Sequence, residues 1–127
     1  MKDFQNKIAK YLKARGWGKG APGAYAKAVV IEAAELLEHF QWTDSSAEEL
    51  RKDKEKFKQV QKEVADIMIY CFDLAVTLEF DMEKILKSKL AEVSKKYPAK
   101  LMSKAKKENN DSVYWKIKKE HRMKGLS

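Results

Sequence analysis

Apolar residues return every three or four positions over Asp3–Arg15, where Phe4, Ile8, Tyr11 and Leu12 recur, and this spacing predicts a first amphipathic helix. Gly16, Gly18, Gly20, Pro22 and Gly23 then break the period. A second helix is expected from about Ala24 to Trp42, ended by Thr43-Asp44-Ser45-Ser46, a run that also supplies N-cap candidates for the next element. Residues 47–62 are highly charged, and the third helix turns apolar from Val64 to Leu78. Phe80-Asp81 interrupts it. A fourth helix places Met82, Ile85, Leu86, Leu90 and Val93 on one side and stops before Pro98. The tail from Lys100 is polar, with a short helix over Val113–Met123. The fold class is therefore all-α, a bundle of about four to five helices.

The third helix is the informative one. Val64, Ala65, Ile67, Met68, Ile69, Cys71, Phe72, Leu74, Ala75, Val76 and Leu78 cover an arc of roughly 220° at helical spacing, where somewhat over 100° serves a helix with one buried face. Such a helix is central in a bundle or is covered again by another subunit. A stripe of polar residues nevertheless crosses it: Glu63, Asp66 and Tyr70, continued by Asp73 and Thr77. The second helix carries a matching stripe of Glu32, Glu35 and His39, flanked by Val29, Leu36 and Phe40. Acids in apolar surroundings are costly unless they are paired or bound to a cation. No Lys or Arg shares the stripe between Glu63 and Thr77. Carboxylates alone are hard ligands, suited to Mg²⁺, with Mn²⁺ as a substitute, rather than zinc. A di-iron bundle would require Glu-x-x-His pairs, and this chain has Glu32-x-x-Glu35 and Glu63-x-x-Asp66 instead. A magnesium site rich in acids most often handles phosphates.

Composition narrows the class further. With 127 residues, 44% of them hydrophobic, the chain suits one core, and 5 Gly and 2 Pro leave few helix breakers. No apolar run is long enough to span a membrane, and the charged N-terminus lacks the apolar core of a signal peptide. The single cysteine, Cys71, excludes an intramolecular disulfide and reads as core, so a cytoplasmic location is expected. The net charge of +8 is uneven: residues 100–127 hold 9 Lys/Arg against 3 Asp/Glu, and residues 1–99 hold 18 against 16. The expected organisation is a helical domain over 1–99 and a basic tail over 100–127, packed on the domain or on a neighbouring subunit. Tyr114 and Trp115 beside Lys116, Lys118 and Lys119 allow a contact with nucleic acid, but a solvated tail is the simpler account, and no nucleic-acid partner is expected.

The segments IEAAELLEHFQW (Ile31–Trp42), KEVADIMIYC (Lys62–Cys71) and KKYP (Lys95–Pro98) together resemble the MazG-like all-α nucleoside triphosphate pyrophosphohydrolases, in the style of their short dCTP pyrophosphatase branch. The Glu-x-x-Glu, spacer, Glu-x-x-Asp signature of that family is matched by Glu32, Glu35, Glu63 and Asp66. The resemblance implies magnesium held by these four acids and hydrolysis of a (d)NTP, dCTP-like or non-standard, to the monophosphate and pyrophosphate. It also implies that one of the glutamates orients or deprotonates the attacking water. Trp17 and Trp42 resemble the aromatic residues around the base, and Tyr70 the tyrosine near the sugar. Lys89, Lys96 and His39 are candidates for the phosphates. The loop WGKGAPGAY departs from the branch pattern: it is one residue shorter, lacks a histidine and has Ala24 at an Asn position. Val93 likewise stands where the family tends to have Asn. These positions bear on base and sugar. The family further implies a homodimer that completes a four-helix core, or a homotetramer. The alternative reading is a nucleotide-sensing helical oligomer without turnover, against which the intact acids argue.

Overall fold

The computed structural model describes residues 1–108 and 110–125. Among them are seven α-helices and no strand: α1 Lys2–Ala14, α2 Gly23–Glu38, α3 Ala47–Lys52, α4 Lys54–Thr77, α5 Met82–Lys96, α6 Ala99–Lys107 and α7 Ser112–Met123. The chain forms two compact units, Met1–Glu83 and Lys84–Ser127.

In the first unit, α4 is the spine against which α1, α2 and α3 pack. Its core is small. Ile8 and Leu12 from α1 meet Phe72 and Ala75 from α4 and Met82, with Cys71, Val76 and Phe80 packed around them. Phe4 adds an edge-on contact to Phe72, with ring centroids 5.3 Å apart. Cys71 thus takes the core position expected of it. By contrast α2 buries none of its residues, and Val30, Ile31 and Leu37 stay exposed.

Three helix boundaries differ from the periodic reading, each for a local reason. The second helix ends at Glu38, not Trp42: His39 N–H bonds to Leu36 O and Phe40 N–H to Leu37 O, tighter i→i−3 bonds that unwind its last turn. The third helix is split at Asp53, whose backbone leaves the helical region (φ −85°, ψ 88°) and whose carboxylate caps the new start by accepting from Lys56 N–H at 3.1 Å. The tail contains a helix before the expected one, because Leu101 and Ala105 are one turn apart and Ala105 is buried.

Trp17 in the glycine-rich loop is explained by the end of α1. Gly16 adopts φ +69°, its N–H bonds to Lys13 O, and Trp17 N–H reaches back to Leu12 O. This is the paired-bond stop of a helix with glycine in the left-handed region, and its usual apolar clasp is present as Trp17 edge-on to Tyr11 at 6.2 Å. The end of α4 repeats the motif with Glu79 at φ +58° and Phe80 N–H bonded to Ala75 O.

Gln5 ties these ends together. Its Nε2 donates to Phe80 O and its Oε1 accepts from Met82 N–H, both at 2.9 Å, so one buried amide joins α1 to the turn before α5. Gln5→Leu keeps the bulk and strands both backbone groups, and should cost about 2 kcal/mol of stability. A lowered midpoint of urea unfolding at constant slope would register this loss.

Candidate metal centre

Helices α2 and α4 form the most extensive helix pair of the structure, and their polar stripes face each other. Glu32 from α2 and Glu63 and Asp66 from α4 each offer one carboxylate oxygen, and these three atoms lie within 4.8 Å of one another. The spacing explains the convergence: residues 63 and 66 are three apart on one helix, so their side chains rise from the same face. Glu32 Oε2 and Glu63 Oε2 are buried and have no hydrogen-bond partner.

That arrangement is electrostatically unfavourable without a cation. Burial, then the neighbouring carboxylates of Glu63, Glu35 and Asp66, push the Glu32 carboxyl up to about 7. His39 Nε2 stands 3.9 Å from Glu63 Oε1, at the outer limit of an ion pair. Two orphaned buried oxygens and a donor set made only of carboxylates fit a hard divalent cation such as Mg²⁺ or Mn²⁺. Glu35 lies outside the trio. It is exposed and adjoins Glu32, one helical turn further along α2.

The remaining candidates are spread around this cluster. Tyr70 is half-buried one turn beyond Asp66. Past it on the same stripe, Asp73 is buried with Oδ1 unpartnered, its carboxyl raised by that burial, and Thr77 Oγ1 is also buried without a partner. At the other end, an open cleft of about 420 Å³ is lined by His39, Trp42, Thr43, Lys56 and Gln59 together with the acids Glu38, Asp53 and Glu55. Trp42 is 86% exposed there, an indole with almost no protein cover. Trp17 is more than half exposed, against α1, beside a second depression of about 510 Å³ that Leu12, Gly18 and Val76 also line. Lys89 and Lys96 belong to the second unit, where Lys89 pairs with Glu92 at 3.5 Å and the Lys96 ammonium lies 5.3 Å from the Tyr97 ring centroid.

Lys56 and Gln59 were not among the residues expected from the sequence. Lys56 Nζ donates to Thr43 Oγ1 at 3.0 Å and faces the Phe40 ring. The signal was available: counting back four and seven positions from Glu63 along its own stripe gives Gln59 and Lys56.

A model of the MazG-like family matches residues 27–111. A solved structure described as a pyrophosphatase from Archaeoglobus fulgidus is similar at 34% identity and a TM-score of 0.63, over 76% of this chain and 90% of that one. No curated protein matches. No helix of the described residues is long and apolar enough to cross a membrane.

Proposed function

Because the chain belongs to the MazG-like family and is a homologue of a pyrophosphatase, we propose that it hydrolyses a nucleoside triphosphate to the monophosphate and pyrophosphate with magnesium as cofactor. The observation that carries this reading is the meeting of Glu32, Glu63 and Asp66, with two buried oxygens that nothing in the protein satisfies. These three residues hold the ion, with Glu35 as the fourth ligand. When bound, magnesium supplies charge stabilisation for the phosphoryl oxygens and for the departing pyrophosphate.

The remaining chemistry belongs to the chain. Water forms a new bond to phosphorus, the bridging P–O bond breaks, and its electron pair leaves with pyrophosphate. A carboxylate must orient the water and take its proton, and Glu35, exposed to solvent beside Glu32, is available for that. The base stacks on the bare face of Trp42, with Trp17 as the second aromatic. Tyr70 faces the sugar, and His39, Lys89 and Lys96 serve the phosphates. The substrate is a (d)NTP, dCTP-like or non-standard, which makes the enzyme a cleaner of the nucleotide pool. The active form is a homodimer or homotetramer. In support, Ile31 and Leu37 on α2 and Val64 on α4 are exposed in the single chain, at 58%, 66% and 45%, which is a large apolar surface for a soluble monomer.

Pyrophosphate release from a panel of dNTPs and NTPs, with and without Mg²⁺, tests the reading. Magnesium-dependent release is expected, and the best substrate names the base. A folded protein that releases nothing from any nucleotide would leave nucleotide sensing as its function.

A further inference from the structure

The boundary between the two units is also a boundary in charge. Residues 1–83 hold 13 Lys/Arg against 15 Asp/Glu, a net of −2, and residues 84–127 hold 14 against 4, a net of +10. The basic character is thus the property of one folded unit and begins well before the polar tail. A unit of that charge attracts polyanions over a distance set by ionic strength.

Its last helix turns this charge into a surface. On α7 the half-buried positions are Val113, Tyr114, Ile117, Lys118 and His121, the side turned toward the rest of the unit. Trp115, Lys119 and Arg122 follow one another at i, i+4 and i+7 and are all exposed, Trp115 at 61%. A large aromatic ring therefore stands bare among cations, where ordinary packing would bury it. The ring has an aromatic neighbour. Trp115 lies edge-on to Tyr114 at 5.1 Å, and Tyr114 is stacked on Tyr97 at 5.1 Å and 19°. The Lys118 ammonium sits 5.4 Å from the Trp115 centroid and 5.8 Å from that of Tyr114. The family match ends at residue 111, so this helix lies outside the matched segment.

From this surface we infer that α7 binds single-stranded nucleic acid, with Trp115 as the stacking platform for a base and Lys119 and Arg122 as contacts to the flanking phosphates. Unpaired strands offer the two features the surface can read at once, a line of phosphates and accessible base faces. A duplex hides its base faces in the stack. An anionic membrane would need the apolar side of the helix free to enter the headgroups, and Val113 and Ile117 are turned inward. A second copy of the chain offers a first unit of only −2, which is a poor electrostatic match.

Fluorescence anisotropy of fluorescein-labelled oligothymidylate and oligouridylate strands, each about 15 nucleotides long, tests this with the full-length chain. The strands should bind, and affinity should fall steeply as salt rises. Trp115→Ala, an exposed position whose variant should keep its helical circular dichroism, should weaken binding about tenfold or more. The double change Lys119→Ala and Arg122→Ala should flatten the plot of log affinity against log salt by about 1.4, which is 0.7 for each lost phosphate contact. Glu63→Gln should leave strand binding unchanged, which separates this surface from the carboxylate cluster. Absence of binding to both strands overturns the inference. So does binding that Trp115→Ala leaves intact, or binding that Glu63→Gln removes. Retention on phosphatidylserine vesicles without strand binding would assign the surface to membranes instead.

Discussion

Glu63→Gln should lower magnesium-dependent pyrophosphate release by at least about a hundredfold, while the metal-free protein unfolds at the same temperature or higher. The two halves of this expectation come from one geometry. Glutamine keeps the shape of the side chain and one acceptor oxygen, so packing against α2 is preserved. It removes a negative charge from a trio whose ligand atoms lie within 4.8 Å of one another. In the native chain the Glu32 carboxyl is raised to about 7 first by burial and then by its hydrogen bond to the Glu63 side chain. Neutralising Glu63 relieves the repulsion in the metal-free state and weakens the hold on a divalent cation. Pyrophosphate release and thermal unfolding, measured on one preparation, separate the outcomes. Activity lost with stability kept or raised fits a site built for a metal at the expense of the bare fold. Activity and stability lost together would mean that Glu63 supports the helix pair and has no part in the chemistry.

How much of this could be read from the chain depends on which residues need a distant partner. Glu63, Asp66 and Tyr70 share a side through helical period alone, and Glu32 and Glu35 do so on their own helix, so both stripes were legible. Period says nothing about which helix faces which, and the expectation that the stripes converge rested on the family resemblance. The core position of Cys71 followed from the apolar arc around it. Gln5 was beyond reach, because both groups it satisfies lie 75 or more residues away and polar residues on a first helix normally face solvent. The break at Asp53 was hidden by good helix formers on both sides; a carboxylate that caps Lys56 N–H decides it, and nothing in the period marks it. Lysine density concealed α6, since its apolar side is reduced to Leu101, Met102 and Ala105. It also made residues 100–127 read as a basic tail packed on the domain or on a neighbouring subunit; in the second unit Tyr97 stacks on Tyr114 across 17 residues of chain.

The metal-free protein should lose thermal stability as pH rises from about 5 to 8, and added Mg²⁺ should restore more of it at the upper end than at the lower. The sign follows from the carboxyls. Glu32 titrates at about 7 in the folded chain against an ordinary value of 4.5, and burial moves Asp73 in the same direction. Between the unfolded and folded values the native state keeps a proton that the unfolded chain has released. Stability from this source is complete below about 4.5 and is gone once the pH has passed about 7. A cation reverses the trend because it binds the ionised carboxylates and so competes with that proton. The stabilisation that saturating Mg²⁺ provides should accordingly be small at pH 5 and grow toward pH 8, with Mn²⁺ behaving alike. At limiting magnesium, pyrophosphate release should fall as pH drops below about 7, and excess metal should recover part of it. Thermal unfolding at three pH values, each with EDTA or with Mg²⁺, provides the check. A magnesium shift equal at all three would mean that the ion binds where no carboxyl changes its proton, away from Glu32. A growing shift that Glu63→Gln reduces would tie the proton, the metal and the reaction to the same meeting of α2 and α4.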